Sequence, residues 1–518
     1  MLSEEQSEVR AFLEREAGIA GTPGEWFETH ISSVFLCDDR AYKLKNPVSL
    51  PYLDFSTPQA RLQYCLTELS LNRRTAPEMY LCVRKIVRGT DGALAFGEEG
   101  ELTDAVVVMA RFDQEALLDK IVKQGPLNRD LVDALAKRIA DFHAIAEVRK
   151  DKTGRDVLKA AHTANEMAFS QTSLHASDQV RQLLRTTSSL IDASATLLDA
   201  RAEAGFVRHC HGDLHLRNIC LFEGEPTLFD CLEFDETLAT TDVLYDLAFL
   251  LMDLWHADQH AAANRLFNRY LDQTGDTHAL GLMPLFMSIR ATVRAHIAAG
   301  RADAPSNASS EHKDLTAEAR GYVDLACAFL QPTAPKLIAL GGLSGSGKST
   351  AAAEIAPQTG PPPGARILST DRIRKSLFGK QAQERLPQEA YEAEVSQRVY
   401  EMQRRETFAA LQGGWSAIAD GVFLREDERA AIAAVAGKAG ATFNGIWLDA
   451  PEDRLIARVE ARRNDPSDAT AGVVQQQLRW QTQVRDWTHI DASRPAGATA
   501  RAILDAAVAA PPKRERRL

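Results

Sequence analysis

The pattern of apolar positions changes character along the chain. Near the start, Ile31–Cys37 and Ala41–Lys45 read as short strands. Pro58–Arg74 then carries apolar residues at helical spacing, and Val106–Arg111 (VVVMAR) reads as a further strand. From there the pattern is mostly helical. Beyond residue 336, four short apolar runs (Leu337–Leu340, Arg366–Ser369, Ala417–Ala419 and Gly445–Leu448) alternate with helical stretches. That alternation predicts an α/β unit whose parallel sheet is covered on both faces. The first part, with strands followed by helices, predicts an α+β unit.

Between the two, Arg301–Lys313 is polar and turn-rich, and Leu315–Leu330 resumes helical spacing. Gln331-Pro-Thr-Ala-Pro335 then interrupts it. Proline lacks a backbone donor and restricts the residue before it, so 331–335 is expected to be a linker between domains at 1–330 and 336–518. There is no repeat of solenoid period and no long low-complexity tract.

Composition narrows the class. With 518 residues at roughly 100–200 per domain, two or three globular units are expected. A content of 45% hydrophobic and 25% charged residues excludes a disordered or collagen-like chain. Sixty Lys plus Arg against 71 Asp plus Glu give a net charge of −11, which opposes non-specific binding to phosphate backbones or anionic lipid. The seven cysteines (Cys37, Cys65, Cys82, Cys210, Cys220, Cys231 and Cys327) are odd in number, never spaced as CxxC, and all precede the linker, as suits reduced thiols. The start, Met1-Leu-Ser-Glu-Glu, is acidic where a signal peptide would be basic. No apolar run is long enough to span a bilayer; in the nearest candidate, Ala430–Ala441, Gly437 and Lys438 interrupt the apolar run, and it reads as a buried helix. A cytoplasmic protein is expected.

Val207–Asp230 (VRHCHGDLHLRNICLFEGEPTLFD) is the most informative stretch of the first part. Asn218 follows Asp213 by five residues. The apolar pairs Ile219–Phe222 and Thr227–Phe229 then flank Glu223-Gly224-Glu225-Pro226, which predicts a β-hairpin. A hairpin sets its ends side by side, so Asn218 and Asp230 should meet and offer oxygen ligands to Mg²⁺. Asp213 would then accept a proton from an attacking hydroxyl, which points to phosphoryl transfer from a nucleotide to an alcohol. Lys43 is the candidate phosphate ligand, since Ala41 and Lys43 share one strand face; Lys45 lies on that face too and is its rival. Glu68 is the candidate ion-pair partner. Val106–Arg111, with Met109 near its end, is the candidate strand and hinge against adenine. Solvated charges on a sheet or helix are the competing reading for Lys43 and Glu68. His211 is expected to brace its loop, and His143 and His215 to be ordinary helix or loop residues.

The His211-Gly-Asp213…Asn218…Asp230 pattern, with Asp242-Val-Leu-Tyr-Asp246 beyond it, resembles the aminoglycoside phosphotransferase family of the protein-kinase-like fold. That resemblance implies phosphorylation of small alcohols such as antibiotics, choline and sugars. Two departures stand out: Gly212 replaces the arginine that protein kinases carry before the catalytic aspartate, and Thr29-His-Ile-Ser-Ser33 occupies the place of a glycine-rich loop. Hydroxyls of Ser32 and Ser33 are candidates to contact phosphate there.

Leu337–Ala351 (LIALGGLSGSGKSTA) contains GxxxxGKS between a strand pattern and a helix pattern. Gly342, Ser344, Gly345, Ser346 and Gly347 form the turn whose backbone N–H groups would cradle phosphates at a helix N-terminus. Lys348 would reach the β and γ phosphates, the Ser349 hydroxyl would hold Mg²⁺, and Thr350 follows them. There is no NKxD, no LSGGQ and no apolar run ending in Asp-Glu. Asp371 and Asp420 end the next two strand patterns; Asp371 is the candidate acceptor base, and Asp420 is expected to orient metal water or substrate. Arg454, Arg458 and Arg462 recur every four residues and lead into Arg463–Asp468, a candidate lid whose cations would offset phosphate charge. A solvated helix face is the competing reading. His489–Pro495 is a candidate edge for adenine.

This half resembles the P-loop kinases grouped with polynucleotide 5′-kinase, zeta-toxin and gluconate kinase, through the Walker A stretch, Ser369–Arg374, Ala419–Phe423 and Ser467-Asp468. Together the resemblances imply a protein-kinase-like α+β domain followed by an α/β P-loop domain, both using ATP and Mg²⁺ on small-molecule hydroxyls. Three readings remain open at this point: two working sites, one working site beside a ligand sensor, or a second half that phosphorylates polynucleotide 5′ ends or nucleotide sugars. The last draws on the basic end Lys513-Arg-Glu-Arg-Arg517 and is opposed by the acidic total. Glu233, Asp235 and Glu236 read either as an acidic rim for a cationic acceptor or as a surface turn.

Overall fold

The computed structural model describes residues 4–16, 24–29, 31–50, 53–304, 309–462, 466–480 and 484–508. His30, Arg463, Asn464, Asp465 and the basic end at 513–517 lie outside the described residues. Two compact units are present, one of residues 1–253 with 289–323, the other of 254–288 with 324–518.

The first unit opens with a six-stranded antiparallel sheet of β1 (Glu25–Glu28), β2 (Ser32–Cys37), β3 (Arg40–Lys45), β4 (Tyr80–Arg88), β5 (Leu94–Phe96) and β6 (Glu101–Ala110), in the order β1-β2-β3-β6-β4-β5. The helix Pro58–Asn72 covers one face. Thr57 caps it by accepting from the Ala60 N–H, and Pro58 stands in its first turn, where a missing donor costs nothing. Its buried residues, Arg61, Cys65, Glu68 and Asn72, recur at steps of four, three and four, so one stripe of the helix faces the sheet. The expected hairpin forms from β7 (Ile219–Phe222) and β8 (Glu225–Leu228), in register Ile219↔Leu228. Glu223 and Gly224 turn it with φ of 52° and 86°.

The second unit is built on five parallel strands: β9 (Lys336–Gly341), β10 (Arg366–Ser369), β11 (Ala417–Asp420), β12 (Thr442–Asp449) and β13 (Thr488–Asp491). Their order is β10-β11-β9-β12-β13. All neighbouring pairs are parallel, and the core lies between this sheet and the helices Lys348–Ile355 and Ala496–Val508. The Ala-rich stretch lies in the helix Glu426–Ala439, as expected, and that helix ends at Gly440. Residues 331–335 contain neither helix nor strand.

The compact units are not two consecutive blocks, because residues 254–288 pack within the P-loop unit. The helix His260–Thr274 lies along edge strand β10. Asn268 accepts from the Ile367 N–H at 2.7 Å and donates to the Ala365 carbonyl at 3.1 Å, Asn264 donates to the Pro363 and Ala365 carbonyls at 3.1 Å each, and Asp272 pairs with Arg366 at 2.6 Å. Side chains four residues apart on one helix face thus satisfy a strand edge that would otherwise present unpaired backbone groups. A polar ladder of this kind leaves no hydrophobic signature. Among the described residues no helix is long and apolar enough to cross a membrane.

Candidate functional site

In the first unit the site is built around Glu68. Alternate residues of β3 point to the same face, so Lys43 and Lys45 both reach the helix that carries it. Lys43 Nζ lies 2.8 Å from Glu68 Oε1 and 2.5 Å from Asp230 Oδ1; Lys45 Nζ lies 2.5 Å from Glu68 Oε2 and also pairs with Glu233. Burial acts against the Lys43 ammonium, but Asp230 and Glu68 outweigh it and raise its pKa. Burial likewise opposes the Glu68 carboxylate, and the two lysines lower its pKa despite it. Both groups stay charged.

The hairpin brings in the remaining groups. At its foot the Phe229 N–H donates to the Asn218 carbonyl at 3.0 Å, which sets Asn218 beside the segment carrying Asp230. Asp230 adopts φ of 61°, donates its N–H to the Tyr80 hydroxyl at 3.2 Å, and is followed by Cys231, whose N–H donates to Asn72 Oδ1 at 2.8 Å. Asn218 Nδ2 donates to Asp213 Oδ2 at 2.8 Å and to the Asp213 carbonyl at 2.9 Å. Asp213 keeps 37% of its side chain exposed, with His215 Nε2 at 3.3 Å. Burial pushes its pKa up, but His215, His211 and Arg290 bring it below the ordinary value. It is therefore an ionised, reachable carboxylate.

His211 braces the loop as expected, with Nε2 3.0 Å from the Phe229 carbonyl. His143 lies 3.1 Å from Asp246, which also accepts from the Gly212 N–H at 2.9 Å and the His211 N–H at 3.2 Å. The departure at Gly212 has a steric cause: its φ is 82°, and a Cβ there would stand 2.9 Å from Leu232 Cβ and 3.1 Å from Ala239 Cα. Met109 is buried in an apolar cluster with Ala41, Leu36, Tyr80 and Cys220, into which Val34 and Phe222 also pack.

Two expectations need correcting. The Ser33 hydroxyl is engaged by Asn46 at 2.8 Å and Glu28 at 3.0 Å, and both Ser32 and Ser33 are buried, so they are not phosphate-facing donors. The residues Glu233, Asp235 and Glu236 form no acidic rim: Glu233 is buried against Lys45, Asp235 caps Leu238 at 3.0 Å, and Glu236 pairs with Arg149.

In the second unit a cavity of about 650 Å³ is lined by Ser344–Ala351, Asp371, Asp420, Arg458, Arg462 and Asp468, among others. Arg454 is exposed and does not line it. The helix Lys348–Ile355 begins at Gly347, whose φ of 92° turns the chain into it. At Gly345, φ is 86° and a Cβ would stand 2.4 Å from the Leu455 carbonyl, so the loop passes where only glycine fits. Lys348 donates to the Gly342 and Leu343 carbonyls at 2.9 and 3.0 Å, and Ser349 Oγ donates to Asp420 Oδ2 at 2.7 Å. Burial lowers the Lys348 pKa and raises that of Asp420. Arg458 donates to the Ala492 carbonyl at 2.8 Å and to the Gly345 carbonyl at 3.4 Å. Of the expected adenine edge, Ala492 and Arg494 line the cavity, whereas His489 turns to Asp449 at 2.6 Å.

Gln403 and Gln477 had no sequence signal, whereas Asp468 belongs to the Ser467-Asp468 pair of the P-loop kinase resemblance. Gln403 donates to the Leu368 carbonyl at 2.7 Å and the Asp420 carbonyl at 3.0 Å, tying together the strand ends that present Asp371 and Asp420. Gln477 accepts from the Ser344 N–H at 2.8 Å. Asp468 is held by Lys375 at 2.8 Å, Tyr391 at 2.7 Å and the Leu386 N–H at 3.0 Å. Asp420 ends the strand Ala417–Asp420 as its apolar run predicts, on the side where Ser349 stands.

These two sites define a chain with a kinase-like α+β fold followed by a P-loop fold. Residues 86–281 match the phosphotransferase enzyme family, and residues 337–484 match an AAA domain family. The chain joins a phosphotransferase-family kinase domain to a P-loop kinase domain, and it is an ATP-dependent phosphotransferase. It is 28% identical over 457 residues to the uncharacterized protein Rv2004c of Mycobacterium tuberculosis, covering 86% of this chain and 88% of that one; the figures are the same for Mb2027c of Mycobacterium bovis. Among solved structures, a choline/ethanolamine kinase family protein from Mesorhizobium loti is 14% identical, with a TM-score of 0.38, over 62% of this chain and 99% of that one. A gluconokinase from Sinorhizobium meliloti is 19% identical, with a TM-score of 0.24, over 33% and 91%.

Proposed function

We propose that the chain is a bifunctional kinase with one phosphotransfer site in each domain, acting on hydroxyl groups of small molecules such as sugars or aminosugars. The observation that carries this reading is that each unit gathers its own lysine, its own hard oxygen donors and its own candidate base: Lys43, Asn218, Asp230 and Asp213 in the first, Lys348, Ser349, Asp420 and Asp371 in the second. Amide, carboxylate and hydroxyl oxygens suit Mg²⁺, and the N-terminus of the helix Lys348–Ile355, entered through Gly347, suits phosphate. Magnesium held by Asn218 and Asp230, or by Ser349 with Asp420 behind it, would offset charge on the transferred phosphoryl group.

Asp213 takes the proton of the acceptor hydroxyl as its oxygen bonds to the γ phosphorus and the β–γ bridge breaks, leaving ADP. Lys43 binds phosphate oxygens, while Ala41 and Met109 back the adenine. Asp371 plays the Asp213 part in the second site, with Lys348 on the phosphates and Arg458 and Arg462 over the developing charge. The sensor reading draws on the buried Ser32 and Ser33, which leave the first site without a glycine-rich loop.

A mass-shift screen of a cell extract separates these readings. D213N and K348M should each abolish a different gain of one phosphate, each by about 10²–10⁴-fold. If only K348M removes labelling, the first domain is not a kinase; if neither does, the reading fails.

A further inference from the structure

Lys45 has no part in the chemistry above, yet it is, like Glu68, a fully buried charge of the first site. Its side chain is 0% exposed; the ammonium lies between Glu68 Oε2 and Glu233 Oε1, with the Phe55 ring centre 5.4 Å away. Glu68 gives its other oxygen to Lys43, and Lys43 reaches Asp230, whose side chain is 39% exposed. The five groups form one line of alternating sign, Glu233–Lys45–Glu68–Lys43–Asp230, running from the interior to the open end of the site. Such a line is costly to bury, and removing one member strands its neighbours.

Lys45 cannot touch a nucleotide, so any effect on the reaction passes through Glu68. Holding Glu68 from both sides fixes the oxygen on which Lys43 rests. It also divides the Glu68 charge between two cations. Without Lys45, Lys43 would face two whole carboxylates, Glu68 and Asp230, and would be drawn more strongly away from phosphate oxygens. The line carries three carboxylates against two ammonium groups, an excess of negative charge that suits an incoming divalent cation at its Asp230 end.

We propose that Lys45, anchored by Glu233, is a positioning residue of the first site: by sharing Glu68 with Lys43 it sets where the Lys43 ammonium stands and how tightly it is held. This rests on reading Lys43 and Asp230 as a nucleotide site.

The test uses the full chain in a K348M background, so that nucleotide binding reports the first site alone. ADP affinity with Mg²⁺ is measured by calorimetry, with thermal unfolding alongside. K45M/E233Q removes one charge of each sign, leaves no stranded carboxylate, and is expected to unfold near the parent. Its ADP affinity should fall about tenfold or more, because Glu68 has lost its second anchor. E233Q alone, which lets Lys45 draw Glu68 off Lys43, should weaken ADP by at least about fivefold and serves if the double variant does not fold. Parental affinity in a folded K45M/E233Q, or in E233Q where that is the variant available, overturns the proposal. K43M separates the two levels: parental affinity in K43M sinks the site reading itself, whereas loss in K43M with parental affinity in K45M/E233Q sinks the positioning role alone.

Discussion

Replacing Asn268 by alanine tests the packing of residues 254–288 onto the P-loop sheet. Asn268 is fully buried, and its amide oxygen accepts the Ile367 N–H on the edge side of β10 at 2.7 Å. The Ala365 carbonyl keeps its bond from Asn264, so the carbonyl is spared. The variant therefore strands one partly buried N–H, at about 1–3 kcal/mol, and loses the weaker 3.2 Å contact from Arg366, for a total of about 2–3 kcal/mol. At about 1.4 kcal/mol per decade, β10 should open about 30- to 160-fold more often. Hydrogen exchange of a peptide covering Arg366–Ser369 reads this directly, with the β7–β8 hairpin as an internal reference. Because β10 ends at Ser369, two residues before Asp371, P-loop activity should fall while Asp213-dependent activity holds. Exchange of Arg366–Ser369 within about threefold of the parent would refute the argument that this helix secures the sheet edge.

R458M should lower P-loop turnover by about 10²–10³-fold, read from kcat at saturating ATP. G345A forces a Cβ to 2.4 Å from the Leu455 carbonyl at a φ of 86°, so ADP titration of the second site should show at least about tenfold weaker binding. His211 supplies a pH signature. Burial works to lower its pKa, but Cys231, Asp246 and Asp213 outweigh it and raise the value to about 9. A raised folded pKa stabilises fully below the unfolded value of about 6.5 and fades as pH rises through about 9, by at most about 3 kcal/mol. The gap in unfolding midpoint between the parent and H211Q should therefore narrow from pH 6 to pH 10.

Much of both sites was legible because their chemistry is written in short spacings. The step from Asp213 to Asn218, the turn at Glu223-Gly224 and the run Gly342–Ser349 are local constraints, and a hairpin or a strand–turn–helix places their side chains with little help from the rest of the fold. What stayed hidden depends on pairs distant in sequence. Glu233 read as a rim or a surface turn because nothing near it announces Lys45, 188 residues earlier. Ser33 looked available because its partners Glu28 and Asn46 are chosen by strand pairing, and Ser32 because its burial depends on the same sheet. Asn264 and Asn268 looked like ordinary helix polarity, since a side chain that completes a sheet edge has no hydrophobic period to betray it.

The two-site account is tested most directly by counting nucleotides. Calorimetric titration of the whole chain with ADP and Mg²⁺ should give two equivalents bound, one in K348M, one in K43M, and none when both lysines are replaced. A parent that binds a single equivalent, lost in K348M and untouched in K43M, would contradict it.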